Sequence, residues 1–164
     1  MPPALATHLD WSQLTLCAGS FVDEHLRERH TDLLFTVPAA DNSVLVYVLY
    51  EHESSVDRWM PLRLLRYLLR IWDTLQQREP ERTLLPPIVP VTIHHSDTGG
   101  TAATSFDELL DLLHELRAVV GPFVPSFRFL LDDVSQVPDE RLRARAMSAA
   151  RQAGAGGAQA RPVR

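Results

Sequence analysis

Seven consecutive apolar residues, Val44-Leu45-Val46-Tyr47-Val48-Leu49-Tyr50, constrain the fold of this chain more than any other feature. Their β-branched and aromatic side chains favour a pleated strand. The run does not alternate with polar residues, so neither face suits water, and it predicts a central strand covered on both sides. It is far too short to span a bilayer. Then the character changes at once, to Glu51-His52-Glu53-Ser54-Ser55. A buried strand that ends in carboxylates is a place where a site can form. The alternative is that these acids are merely solvated.

Upstream, Leu14 and Leu16 followed by Phe21-Val22 predict a first short strand, ending at Gly19-Ser20. Asp32 to Val37 predicts a second, closed by Pro38. Asp41-Asn42-Ser43 carries turn chemistry, so the second strand and the apolar run form a hairpin. Downstream the period lengthens. Leu62, Leu65, Leu69 and Trp72 recur at three and four, which predicts a helix from Arg58 to Gln77 burying that stripe. Pro80 and Pro86-Pro87 end it. Ile88 to His94 is a further strand, with Pro90 implying its start or an exposed edge. Ser105 and Glu108 form a capping box for a helix to about Val119. Phe127 to Leu131 predicts a strand, and Pro138 opens a last helix that ends before Gly154.

The fold class is therefore α/β or α+β, a mixed sheet with helices packed on it. Residues 1–151 form one domain, and the Gly/Ala-rich stretch 152–164 is expected to be disordered. With 45% hydrophobic residues in 164, the chain has material for a real core.

Several chemistries are excluded. Cys17 is the sole cysteine, which rules out a disulfide framework and zinc–thiolate sites; it reads as a small buried apolar residue. His94 and His95 are adjacent in a strand and point to opposite faces, a poor chelate. No phosphate-cradling glycine loop and no Gly-x-Ser-x-Gly elbow is present. All 16 basic side chains are arginines, best read as codon usage in a GC-rich genome. No lysine can then act as base, nucleophile or phosphate anchor. The first residues lack the basic flank and apolar stretch of a signal peptide, so a reducing, cytoplasmic setting without membrane insertion is expected.

One cluster remains. Glu51 and Glu53 are two apart at the end of a strand and share a face. Asp32 opens the preceding strand of the same hairpin, so antiparallel pairing brings it to the same end. Three carboxylates meeting there would suit a hard divalent cation, and Mg²⁺ needs only one or two of them plus water.

The residues around this cluster resemble a known family. Leu9-Asp10-Trp11-Ser12, Ser20-Phe21-Val22-Asp23-Glu24-His25-Leu26-Arg27, Asp32-Leu33-Leu34-Phe35 and Glu51-His52-Glu53-Ser54-Ser55 are similar to the YhgA-like transposases, or recombination-promoting nucleases. So are Arg58-Trp59-Met60-Pro61-Leu62-Arg63-Leu64-Leu65-Arg66-Tyr67 and Leu85-Pro86-Pro87-Ile88-Val89-Pro90-Val91. That family lies within the PD-(D/E)XK nuclease superfamily, and the likeness extends from Leu9 to Met147. It implies a restriction-endonuclease-like mixed sheet flanked by helices, and a DNA endonuclease using Mg²⁺ (or Mn²⁺), linked to recombination. By that resemblance Asp32 and Glu51 would be metal ligands. The residue at position 53 would orient or deprotonate the attacking water.

The chain departs from the family pattern in three places. Glu53 stands where glutamine is usual, and His94-His95-Ser96 replaces Tyr-His-Gly. The family's opening helix has no counterpart before Leu9, which suggests a truncated gene or a miscalled start. Arg63, Arg66 and Arg70, with Arg58 just before them, form a basic stripe that could meet DNA phosphates; a solvated face opposite the leucines is the equal alternative. Trp59, Tyr67 and Trp72 are expected in the core, and His95, which matches a family histidine, is at most near the site. Two other readings compete with the enzyme. One is a degenerate remnant that only binds DNA or a protein, and the other is a structural partner in a homo-oligomer.

Overall fold

The computed structural model describes residues 7–17, 31–39, 42–52, 57–95, 103–135 and 137–144; for 31, 32, 42, 43, 45 and 47–52 it describes the backbone. Among the described residues five strands form one mixed sheet in chain order: β1 (Thr15–Leu16), β2 (Thr31–Ala39), β3 (Asn42–His52), β4 (Ile88–His95) and β5 (Leu130–Asp133). The pairings β1–β2 and β2–β3 are antiparallel, and β3–β4 and β4–β5 are parallel. The unbroken apolar run is thus an interior strand, as its composition requires. A parallel neighbour needs a crossover, and α1 (Met60–Arg78) supplies it between β3 and β4.

Proline misled the sequence reading twice. β2 does not close at Pro38 but continues to Ala39, and Pro38 stands opposite Ser43. The Pro38 carbonyl accepts from the Asp10 N–H at 2.9 Å, away from β3. A residue's N and O leave a strand on the same side, so the missing N–H interrupts no β2–β3 bond. The turn is correspondingly shorter than expected, because Asn42 and Ser43 already belong to β3. Pro90 is neither at the start of β4 nor on an edge; it is buried within an interior strand. β5 pairs only from Val91 onward, so Pro90 has one side with no ladder to complete.

α1 begins where Asp57 accepts from the Trp59 N–H at 2.7 Å, with Pro61 in the first turn, where its absent donor costs nothing. It buries Met60, Pro61, Leu64, Tyr67, Leu68 and Ile71. The stripe expected from sequence is turned away from this face: Leu69 is 49% exposed, and Leu62, Leu65 and Trp72 are half-buried. Leucines line much of the helix, and the face holding the bulky Tyr67 and Ile71 meets the sheet. Met60, Leu64, Tyr67 and Ile71 pack with Leu34 and Phe129, and each buried side chain of this kind contributes about 1.5–3 kcal/mol. Tyr67 is core as expected, while Trp59 is 55% exposed and Trp72 donates through Nε1 to the Pro86 carbonyl at 2.9 Å.

The opposite face of the hairpin is covered by the N-terminal segment, where Leu9 packs with Val37 and Val46. Cys17 is half-buried beside the larger cluster, its Sγ 3.0 Å from the Thr36 hydroxyl. The capping box does not form. Ser105 donates to the Asp107 carboxylate instead, and a 3₁₀ turn (Phe106–Leu109) precedes a short α2 (His114–Val120). Ser105 also bridges Arg128 in antiparallel fashion, with Phe106 stacked on Phe127 at 5.7 Å, and this clasp leads Phe129 into the core. The last strand accordingly runs from Leu130, later than expected. Residues 139–144 are helical after Pro138. The predicted Phe21-Val22 strand extension and the predicted tail lie outside the described residues.

Candidate functional site

Topology gathers four strand positions at one rim. β3, β4 and β5 run in the same direction and end there, and antiparallel β2 begins there. Asp32 stands opposite Leu49, two residues before Glu51, so the hairpin carries both carboxylate positions at its open end with the same pleat parity. Glu51 in turn stands opposite His94, and His94 opposite Asp133. Register partners share a face, so positions 32, 51, 94 and 133 lie along one face of the rim. That face is the one covered by α1, because Leu34 and Leu131, of the same parity in β2 and β5, pack against it.

The side chains of Asp32 and Glu51, and the whole of Glu53, lie outside the described residues. Among the described residues no group of three acidic, histidine or cysteine side chains is placed to hold a metal ion. What the structure does describe here is the polar surround. β4 buries its alternate residues Pro90, Thr92 and His94, on the face whose Ile88 packs against the α1 cluster. The Thr92 hydroxyl and His94 Nε2 are both buried, with no hydrogen-bond partner among the described residues. His95 is half-buried on the opposite face, as the alternation of a strand requires. Asp133 accepts from the Ser135 hydroxyl at 2.5 Å and from its N–H at 3.0 Å. The Ser135 hydroxyl first, then its N–H, hold the Asp133 carboxyl below its ordinary value, and the nearby His94 and His95 rings add to the effect.

Sequence reasoning missed His94 and Asp133 as members of this rim. It treated His94 and His95 as a pair, whereas the signal lay in the alternation of Pro90, Thr92 and His94. Asp133 follows an apolar strand, as Glu51 does.

The arginines divide. Arg58 is exposed, its guanidinium 5.7 Å from the Trp59 ring centroid. Arg63 is not on an open stripe; it is half-buried and paired with Asp57 at 3.3 Å. Arg66 and Arg70 are exposed on α1, which leaves the same rim and runs back along the sheet. A notch of about 270 Å³ between Leu69, Trp72, Leu84 and Leu85 lies toward the other end, where α1 gives way to β4. It holds none of the acidic positions named above. Among the described residues no helix is long and apolar enough to cross a membrane.

The chain is similar in sequence to known proteins. A family described as "Putative transposase, YhgA-like" matches residues 1–153. Recombination-promoting nuclease RpnD of Escherichia coli O157:H7 is 34% identical over 144 residues, 87% of this chain and 53% of that protein. The inactive recombination-promoting nuclease-like protein RpnE of Escherichia coli K12 is 27% identical over 143 residues, 87% of this chain and 46% of its own length. Recombination-promoting nuclease RpnC of the same strain is 30% identical over 97 residues, 59% of this chain and 32% of its own. The chain thus spans about half the length of the first two relatives or less of the third. No solved structure matches. With a family match across nearly its whole length, the chain belongs to the YhgA-like transposase family.

Proposed function

We propose that this chain is a nuclease core of the PD-(D/E)XK type, which hydrolyses phosphodiester bonds in DNA with the help of Mg²⁺ or Mn²⁺. The observation that carries this reading is the register that sets Asp32 and Glu51 at one rim and on one face of the sheet. The sequence of hairpin, crossover helix and parallel strand supports it, as does the family. The donors fit a hard cation: carboxylates would supply the oxygens, and at the register position opposite Glu51 the Nε2 of His94 is a buried polar atom with no partner among the described residues. When bound, the cation would neutralise charge on the phosphate and lower the pKa of a water.

The chain's own residues do the rest. Asp32 and Glu51 hold the site, and Glu53 orients the attacking water. Arg58, Arg66 and Arg70 draw the phosphate backbone to the rim through their planar forks, which an acidic protein of net charge −5 needs locally. Arg63 reaches that surface only by giving up Asp57. The deciding experiment is plasmid nicking by the purified chain with Mg²⁺, expected to yield open circles. Absence of cleavage with Mg²⁺ and with Mn²⁺ would leave the second reading, a remnant that binds DNA without cutting it, which Glu53 in place of the family glutamine favours.

A further inference from the structure

Trp59 stands immediately before α1, at the end of the helix nearer the rim, with 55% of its surface in solvent. The start of the helix sends Met60 and Leu64 into the core and leaves the indole outside it. The Arg58 guanidinium lies over one face of the ring, 5.7 Å from its centroid, which leaves the other face to stack. Arg66 and Arg70 follow Trp59 at intervals of seven and then four residues, and both are exposed. At about 3.6 residues per turn the three fall within about 40° of one another around the helix, the arginines about 10 Å and about 16 Å along it. Asp57 accepts from the Trp59 N–H at 2.7 Å and pairs with Arg63 at 3.3 Å, so the acid next to the ring is already compensated. Asp73, three residues past Arg70, bounds the basic stretch.

A flat apolar ring in line with cations suits a nucleotide, which offers a π face on its base and an anion on its phosphate. In a duplex both faces of each base are covered by stacked neighbours. A ring of this kind therefore reaches only a base that is unpaired or splayed out. We propose that Trp59 is a base-stacking platform, and that the DNA this chain engages is single-stranded or carries an unpaired stretch, with Arg58, Arg66 and Arg70 on its phosphates. The proposal rests on the nuclease reading above and deepens it by naming the form of the substrate.

The test is equilibrium binding of the full chain, in EDTA to suppress cutting, to labelled oligothymidine and to a labelled duplex of equal length. Oligothymidine is expected to bind the more tightly. Trp59→Ala should weaken that binding about tenfold, the loss of one stacked base, while the duplex changes by less than about twofold and the salt slope is kept. Trp59→Phe should retain most of the affinity, because a ring remains. Should W59A fail to fold, fluorescence decides. Oligothymidine is expected to quench the parent's tryptophan emission, and to quench W59F little, since that variant keeps only Trp11 and Trp72. No preference for oligothymidine, equal losses on both DNAs in W59A, or equal quenching in the parent and W59F overturns the platform. Plasmid nicking with Mg²⁺ beside such a result leaves the nuclease reading standing. A chain that neither nicks plasmid nor binds either DNA sinks that reading, and this inference with it.

Discussion

Glu51 and His94 are register partners in the parallel ladder between β3 and β4, the point at which the hairpin's acidic end meets the crossover strand. This pairing joins an acid legible in the sequence to a buried histidine that only the sheet reveals. It also makes the consequences of individual substitutions separable.

Cleavage should depend strictly on a divalent cation. Carboxylates about 4 Å apart repel by roughly 4 kcal/mol at an effective dielectric near 20, so without a counter-charge one of them would hold a proton. Excess EDTA is expected to abolish nicking, with activity restored by Mg²⁺ or Mn²⁺. Persistent cutting in EDTA would contradict the carboxylate site.

Replacing Glu53 with the family's residue is expected to keep or raise activity. Glu53→Gln removes one negative charge where phosphate must approach and retains a side chain able to orient water. Measured nicking rates at saturating Mg²⁺ decide it. A dead E53Q beside an active parent would show that the carboxylate is needed as a base.

The exposed arginines should contribute to DNA binding through charge alone. Changing Arg66 and Arg70 to alanine is expected to reduce the slope of log K against log salt by about one for each. Arg63→Ala should instead lower stability, because it strips the half-buried Asp57 of its partner. An unchanged slope in the R66A/R70A chain would make that face structural.

Chemical denaturation can verify the helix orientation. Leu64→Ala and Ile71→Ala each remove a fully buried side chain and should cost about 2–5 kcal/mol. Leu69→Ala, at a half-exposed site, should stay within about 0.5 kcal/mol. The reverse order would restore the stripe that the sequence suggested.

Acid should loosen the clasp that carries the chain into β5. The Ser105 hydroxyl holds the Asp107 carboxyl below its ordinary value, with smaller help from Arg117 and Arg128. A depressed folded-state pKa stabilises the fold above the unfolded value, and that contribution disappears as pH falls through the folded one. Ser105→Ala should raise the Asp107 carboxyl back toward its ordinary value, read by carboxyl NMR titration.

The legible parts of this molecule were those fixed by strong local patterns. The apolar run of β3, the hairpin, the extent of α1 and the common end of Asp32 and Glu51 all follow from composition and period. Helix orientation did not, because Leu62, Leu65 and Leu69 repeat with the same period as Leu64, Leu68 and Ile71, and only the sheet chooses between them. Pro38 and Pro90 sat where a neighbouring strand makes no demand on the missing N–H, a fact that pairing alone determines. Ser105 donates its hydroxyl to the nearby Asp107 carboxylate instead of accepting from the helical N–H that a capping box uses. The burial of His94 was illegible for a similar reason, since it depends on strands far away in sequence that flank β4.

The two apolar clusters, one under α1 and one under the N-terminal segment, contain none of the polar rim positions. If the proposed chemistry sits at the rim, solidity and reactivity are housed in different storeys of the same building. A lineage built on this plan can lose its chemistry one rim residue at a time while its architecture stands unaltered, and regain it by the same small steps.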